Sequence, residues 1–372
     1  MSAALTASMT FSFCPSVTRC YTFRYDGFAA RLREPRALPM PTASPPIGLK
    51  SIEITDFRRI DRLRLEFIGA DGEPSDIAVI GGPNGCGKTT ALEACLIAIG
   101  FQGQLQGAYG RDAIRAGQRE WRIKAEVCTP QGQYHVLARH YEADLWVNVT
   151  NGRPAEEVPI PCLYFSSWRS PKLVGALPIT AGKPGKRPKD TEHNRIWRAK
   201  QHLIDSRAHR LMSEGTSFAD SATYEEDLKR LNEVWATFHP KAEERFEVGP
   251  VSSDPHAGFD VFLVCKDGRK VPVDALSSGQ LELFALFGAL MLVKFRDGIL
   301  VIDEPELHLD PQWHALMIRA IRRFLPSAQL LIATHSPKVF DSVMSFQRHF
   351  LVPENDPRAQ AWKPQHAGAI GT

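Results

Sequence analysis

The residues best suited to chemistry in this 372-residue chain are Gly82-Pro83-Asn84-Gly85-Cys86-Gly87-Lys88-Thr89, which fit the pattern G-x-x-x-x-G-K-[ST]. Glycines let a loop wrap closely round a phosphate and turn its backbone N–H groups inward. A helix that starts directly behind the loop adds free amides and a positive dipole end. In this pattern Lys88 reaches the β- and γ-phosphates of a nucleoside triphosphate and the Thr89 hydroxyl sits on Mg²⁺, with Asn84, Gly85, Cys86, Gly87 and Thr90 completing the cradle. A second candidate is Ile299-Leu300-Val301-Ile302-Asp303-Glu304. Four apolar residues ending in two acids read as a buried strand that delivers Asp303 to a metal. Glu304 then stands where a base orients and deprotonates an attacking water. A third is Leu276-Ser277-Ser278-Gly279-Gln280, where Ser277 caps a helix whose first amides suit an anion.

Such residues need a scaffold, and the hydropathy pattern predicts one. Residues 76–80 form an apolar strand into the glycine loop, and 88–99 a helix with Leu92, Cys95, Leu96 and Ile99 on one face. Residues 299–302 and 329–333 are largely apolar, as in a parallel sheet covered on both faces, with a helix between them starting near Pro311. Alternation predicts strands at 51–57, 63–68, 121–127 and 134–140. Residues 258–264 and 269–273 flank Asp267-Gly268 as a hairpin. Residues 175–188 read as a Gly/Pro/Lys loop, and 191–244 as charged helix.

Bulk composition narrows the class further. A net charge of +3 is too small to argue for nucleic acid by itself. The seven cysteines include no C-x-x-C pair and their number is odd, which argues against a disulfide framework or zinc site and for a reducing, cytoplasmic setting. No apolar run reaches the roughly 18–20 residues that span a bilayer, so no membrane insertion is expected. Residues 1–46 are rich in Ser, Thr, Ala, Arg and Pro and poor in acid. That composition fits a disordered extension, a start misplaced upstream of Met40, or an organelle transit peptide.

The order of the motifs resembles the ABC-type ATPase family: phosphate loop, signature, Asp–Glu strand, then a histidine, here in Ala333-Thr334-His335-Ser336-Pro337. The family signature L-S-G-G-Q is L-S-S-G-Q here, with Ser278 in place of the first glycine. Asp303-Glu304-Pro305-Glu306-Leu307-His308-Leu309 and Thr334-His335-Ser336-Pro337 resemble the soluble RecF/SMC/OLD-like group, often labelled AAA-family ATPases. Ile54-Thr55-Asp56-Phe57-Arg58-Arg59 resembles that group's opening strand and Phe-Arg element. The likeness covers residues 49–353 and is weak between 172 and 250. It implies an α/β P-loop fold of ABC type: a mostly parallel sheet flanked by helices, an antiparallel β subdomain and a helical insertion. It implies ATP hydrolysis with ATP and Mg²⁺ as cofactors, Glu304 and His335 as catalytic residues, Thr89 and Asp303 as metal ligands, and Arg58 among the nucleotide contacts. A glutamine completes the metal site in many relatives, and Gln118, Gln131 and Gln133 are candidates. By the same resemblance two subunits sandwich two ATP molecules. Ser277, Gly279 and Gln280 of one then touch the γ-phosphate held by Lys88 of the other, so ATP favours the homodimer and hydrolysis releases it.

Two departures shape the expected organisation. The interval from Lys88 to Ser277 is too short for the long coiled-coil arm of SMC-type proteins, and the residues after His335 are too few for the nuclease domain of OLD-type proteins. Any nuclease is therefore expected on a partner chain. The expected boundaries are 1–46 for an N-terminal extension, 47–353 for the ATPase domain with its helical insertion at 172–250, and 354–372 for a tail. The expected function is an ATP-driven switch in DNA repair or anti-phage defence, acting with an effector protein such as a nuclease. Two other readings stand beside it: a nucleotide-binding subunit of a membrane transporter, against which the run Pro305-Glu306-Leu307-His308-Leu309 argues, and an ATPase that regulates a protein effector without DNA. The basic residues Lys183, Lys186, Arg187, Lys189, Arg195, Arg198, Lys200, Arg207 and Arg210 either grip a phosphate backbone or form a solvated loop and helix face.

Overall fold

The computed structural model describes residues 47–102, 105, 109–141, 144–150, 160–167, 172–180, 194–213, 221–254, 257–293 and 297–351. The expected extension at 1–46, the expected tail at 354–372 and the basic residues Lys183, Lys186, Arg187 and Lys189 lie outside them. In chain order, β1 (Gly48–Phe57) and β2 (Ile60–Glu66) form a hairpin, and β3 (Ile77–Gly81) runs into the glycine loop and helix α1 (Lys88–Ala98). β4 (Glu120–Thr129), β5 (Gly132–Tyr141) and β6 (Asp144–Thr150) form a meander, and β7 (Cys162–Phe165) precedes helices α2 (Arg195–Ser213) and α3 (Ser221–Phe238). β8 (Arg245–Pro250), β9 (Phe259–Val264) and β10 (Lys270–Pro272) lead to α4 (Ser278–Met291). β11 (Ile299–Asp303), α5 (Met317–Phe324), β12 (Gln329–Thr334), the short helix α6 (Pro337–Phe340) and β13 (Arg348–Phe350) complete the set of strands and α-helices among the described residues.

The largely apolar strands β3, β12 and β11 lie at the middle of the parallel sheet, in the order β13-β3-β12-β11-β7. Side chains alternate across it between two cores. Val79, Phe165, Leu300, Ile302, Leu330 and Ile332 pack with the side chains of α2 to α5. Ala78, Ile80, Tyr164, Val301, Leu331 and Ala333 pack with α1 and the inner face of the antiparallel sheet β2-β1-β4-β5-β6. On that antiparallel sheet charged residues pair across strands, as in Arg62–Glu53, and along them, as in Arg64–Glu66 and Arg122–Glu120. The ABC-type α/β architecture is thus present: a parallel sheet between helices, an antiparallel sheet, and helices α2 and α3 as the insertion.

Three details differ from the pattern-based expectation. Within 172–250, residues 245–250 are strand β8, where Phe246 and Val248 alternate inward. The helix expected from Pro311 starts only at Met317, because Asp310 accepts the Gln312 N–H (2.9 Å) in an Asx turn that competes with helix initiation. In the basic stretch, Arg195 and Lys200 are buried, so neither reaches a phosphate backbone. No helix among the described residues is long and apolar enough to cross a membrane.

Candidate functional site

The five residues of β3 are all buried, which fixes the strand and aims its end at the glycine loop. Gly82 (φ 152°), Gly85 (φ 80°) and Gly87 (φ 103°) take positive φ angles that favour glycine, and a Cβ on Gly82 would stand 2.6 Å from the Leu351 carbonyl oxygen. Gly87 caps α1 with no side-chain acceptor, which leaves the first amides of that helix facing the loop. Lys88 is buried, and its Nζ donates to the carbonyls of Gly82 (2.9 Å) and Pro83 (3.1 Å), filling the loop with its own ammonium. Asn84 and Gly85 are exposed at the rim, while Cys86, Thr89 and Thr90 are half-buried. Arg58 has φ 55° and donates its backbone N–H to Ala113 O (2.6 Å). Its guanidinium lies over the Phe57 ring and forms an ion pair with Glu93 of α1, which holds it against the helix behind the loop.

The parallel register assembles the acidic part. Asp303 pairs with Ala333, and Thr334 with Gly81, so the ends of β11, β12 and β3 stand side by side. The Thr89 hydroxyl donates to Asp303 Oδ2 at 2.8 Å, joining the helix after the loop to the Asp–Glu strand. β7 borders β11 on its other side, with Phe165 opposite Ile302. Ser166, the residue after β7, is buried. The three glutamines do not lie on that strand. Gln133 is on β5 and bonded to Glu126, Gln131 is in the β4–β5 turn, and Gln118 precedes β4 with its N–H on Arg115 O. Sequence order alone does not reveal that β7 borders the acids.

Glu304 adopts φ 52°, a left-handed conformation that costs a non-glycine residue about 1–2 kcal/mol, and its N–H is held by Ala333 O at 2.8 Å. The turn carries the chain back to Glu306, which is buried. Its Oε1 accepts from the Thr334 hydroxyl (2.6 Å), the His335 N–H (2.9 Å) and the Ser336 N–H (3.1 Å). His335 Nδ1 stands 3.3 Å from Glu304 Oε1 and 3.4 Å from Glu306 Oε1. Glu306 is the site residue that motif matching passes over. The signal for it is a Thr-His-Ser run after an apolar strand, whose amides need an acceptor.

The signature is equally built. Ser277 caps α4 in a reciprocal box: its Oγ accepts the Gln280 N–H, and Gln280 Oε1 accepts the Ser277 N–H (3.2 Å). A Cβ on Gly279 would lie 2.9 Å from His308 O and 3.6 Å from the Trp313 ring, so only glycine lets α4 press this closely on the turn that follows Glu304.

These donors fit a magnesium nucleotide. A hydroxyl and a carboxylate at hydrogen-bonding distance are oxygen ligands of the kind a hard cation takes, and the glycine loop with its helix N-terminus is shaped for phosphate oxygens. Residues 51–152 match the family model "AAA domain", and residues 186–341 match "AAA domain, putative AbiEii toxin, Type IV TA system". The fold, the motifs and the two AAA-domain matches support an ABC-type P-loop ATPase with an SMC-head-like fold.

Relatives of that class share its length to different degrees. The chain is 26% identical over 308 residues to Septu protein PtuA of Bacillus thuringiensis, covering 78% of this chain and 72% of the relative. It is 32% identical over 108 residues to "Retron Vc95 probable ATPase" of Vibrio cholerae serotype O1 biovar El Tor, where it spans only 20% of that protein. In fold it is similar to an SMC head bound to the C-terminal winged-helix domain of ScpA (TM-score 0.51, 16% identity, 79% of this chain and 91% of that one). It is also similar to an SMC head with an extended coiled coil bound to the C-terminal domain of ScpA derived from Pyrococcus furiosus (TM-score 0.50, 14% identity, 80% and 92%).

Proposed function

We propose that the chain is an ATP-driven switch in anti-phage defence that dimerises on ATP, hydrolyses it and thereby controls an effector protein such as a nuclease. The observation that carries the chemistry is the Thr89–Asp303 hydrogen bond of 2.8 Å, beside Glu304 and His335 at the ends of adjacent strands. Lys88 and the amides of Gly85, Gly87 and Thr89 bind the phosphates, while Thr89 and Asp303 hold Mg²⁺. The metal supplies charge neutralisation on the phosphate oxygens. Glu304 takes the proton of the attacking water, and His335, steered by Glu304 and Glu306, faces the γ-phosphate. Cys86, Asn84 and Thr90 line the cradle, and Arg58 steadies α1 beside it. Ser277, Gly279 and Gln280 of a second copy close the site from above, so the homodimer forms with ATP and opens after hydrolysis. The Septu- and retron-named relatives favour defence over DNA repair.

Lys88→Ala is expected to abolish ATP binding. Glu304→Gln is expected to bind ATP, lose turnover by about 10²–10⁴-fold, and accumulate as dimer in light scattering with ATP. A Glu304→Gln protein that turns over normally, or stays monomeric with ATP, rules the switch out in this form.

A further inference from the structure

Lys200 is a fully buried cation at the centre of the helical insertion. Its Nζ lies 2.6 Å from Asp260 Oδ1 on β9, 2.5 Å from Asp274 Oδ2, and 2.6 Å from the Gly175 carbonyl oxygen. A buried ion pair of this kind costs several kcal/mol in lost hydration per ion, so it adds little stability over apolar packing. What it does add is fixed geometry, and its position makes that geometry matter.

Asp274 belongs to a one-turn 3₁₀ helix, Val273–Ala275, closed by the Leu276 N–H on Val273 O at 3.1 Å. The signature begins at the next residue, and Ser277 caps α4. The Asp274 carboxylate also accepts the N–H groups of Val174 (2.9 Å) and Gly175 (3.0 Å). The segment holding those groups is strapped to α2 further on, where Gln201 donates to Pro178 O (3.0 Å) and Thr180 donates to Asp205. One residue before Lys200, Ala199 meets Gly288 of α4, whose added Cβ would come within 2.6 Å of the Ala199 Cβ. α2 therefore grips α4 along its body by close packing, and just ahead of its N-terminus by a charge cluster. Asp260 stands on the far side of that cluster, on a strand that carries no signature residue, and burial pushes its carboxyl above the usual carboxylate range.

We propose that Lys200 and Asp274 form a strut by which helix α2 positions the signature Ser277–Gln280, making them positioning residues for ATP turnover. For its activity readout the strut rests on the ATPase reading above. A force on the helical insertion, such as a bound effector protein, is transmitted to the signature along this path.

Asp260 and Asp274 allow a matched test, because changing either to Asn removes one negative charge from the same cluster and leaves Lys200 with one carboxylate. Asp274→Asn and Asp260→Asn are made in the full chain. Hydrogen exchange of residues 276–283 is measured without nucleotide, and kcat and KM for ATP are measured separately. The strut predicts that Asp274→Asn speeds exchange in this segment about tenfold and lowers kcat about tenfold with KM for ATP within about twofold, whereas Asp260→Asn matches the wild type in both. Equal effects of the two variants, or wild-type exchange and kcat in Asp274→Asn, overturn it. If the wild type shows no ATP turnover, the ATPase reading fails and the exchange of residues 276–283 alone decides the strut.

Discussion

Glu306 gathers three donors onto one oxygen, and those donors are the hydroxyl and amides that place His335. A buried N–H or hydroxyl stripped of its acceptor costs about 1–3 kcal/mol. Glu306→Ala therefore loses stability in urea unfolding by about 2–4 kcal/mol. Glu306→Gln keeps an oxygen where the three donors converge and folds normally, but it gives up the charge that strengthens these bonds. Its expected signature is unchanged ATP affinity with turnover reduced about tenfold, because His335 is placed less firmly beside Glu304. Glu304 needs the same support, since its left-handed backbone persists only where neighbours over-determine it, as the Ala333 carbonyl does here. Wild-type turnover in Glu306→Gln would reduce Glu306 to a packing role.

Between helices α2 and α4, Gly288 lies closely against Ala199. Gly288→Ala improves helix propensity by up to about 1 kcal/mol, yet it sets two rigid methyl groups 2.6 Å apart. Overpacking of this kind costs about 1–3 kcal/mol, so the net expectation is a loss of stability in denaturant titration. Ala199→Gly combined with Gly288→Ala restores most of that loss. Additivity of the two changes would show that α2 and α4 do not press on each other here. This packing also marks where sequence reading stops. The glycine loop, the Asp–Glu strand and the signature cap are read from consecutive residues, because each is a local device of eight residues or fewer. β7 and β13 are four and three residues long and have no period of their own; they become strands only by pairing with β11 and β3. For the same reason the place of β7 beside the Asp–Glu strand is not readable, since it is fixed by strand neighbours far away in the chain. In the sequence Lys200 reads as part of a basic stretch, because charge patterning cannot show that its partners come from β9 and from the turn before α4.

The phosphate loop is also braced by the last described strand, which carries a titratable histidine. β13 pairs with β3, and beyond it the Leu351 N–H donates to Gly81 O at 2.8 Å, with the Leu351 carbonyl packed against Gly82. His349 in β13 lies edge-on to Phe67, ring centroids 5.2 Å apart, and burial pushes its imidazole down from 6.5 to about 4. Its folded value lies below its unfolded one, so between pH 6.5 and 4 the unfolded chain binds a proton that the folded chain refuses. Stability from this residue is complete above the unfolded value and drains away as pH falls through that window, by about 3 kcal/mol at its lower end. His239, also pushed down by burial, acts in the same direction, while Asp260, pushed up, acts against it. The difference between wild type and His349→Phe isolates the one group, since phenylalanine keeps the edge contact with Phe67 and cannot titrate. Urea midpoints at pH 7.5, 5.5 and 4 are expected to diverge, with the wild type losing more stability than the variant as pH falls. Saturating ATP, by binding the loop that β13 braces, should raise the stability of both proteins at pH 7.5. Parallel pH curves for the two proteins would mean that His349 is reached by water in the folded chain and does not link the brace to acidity.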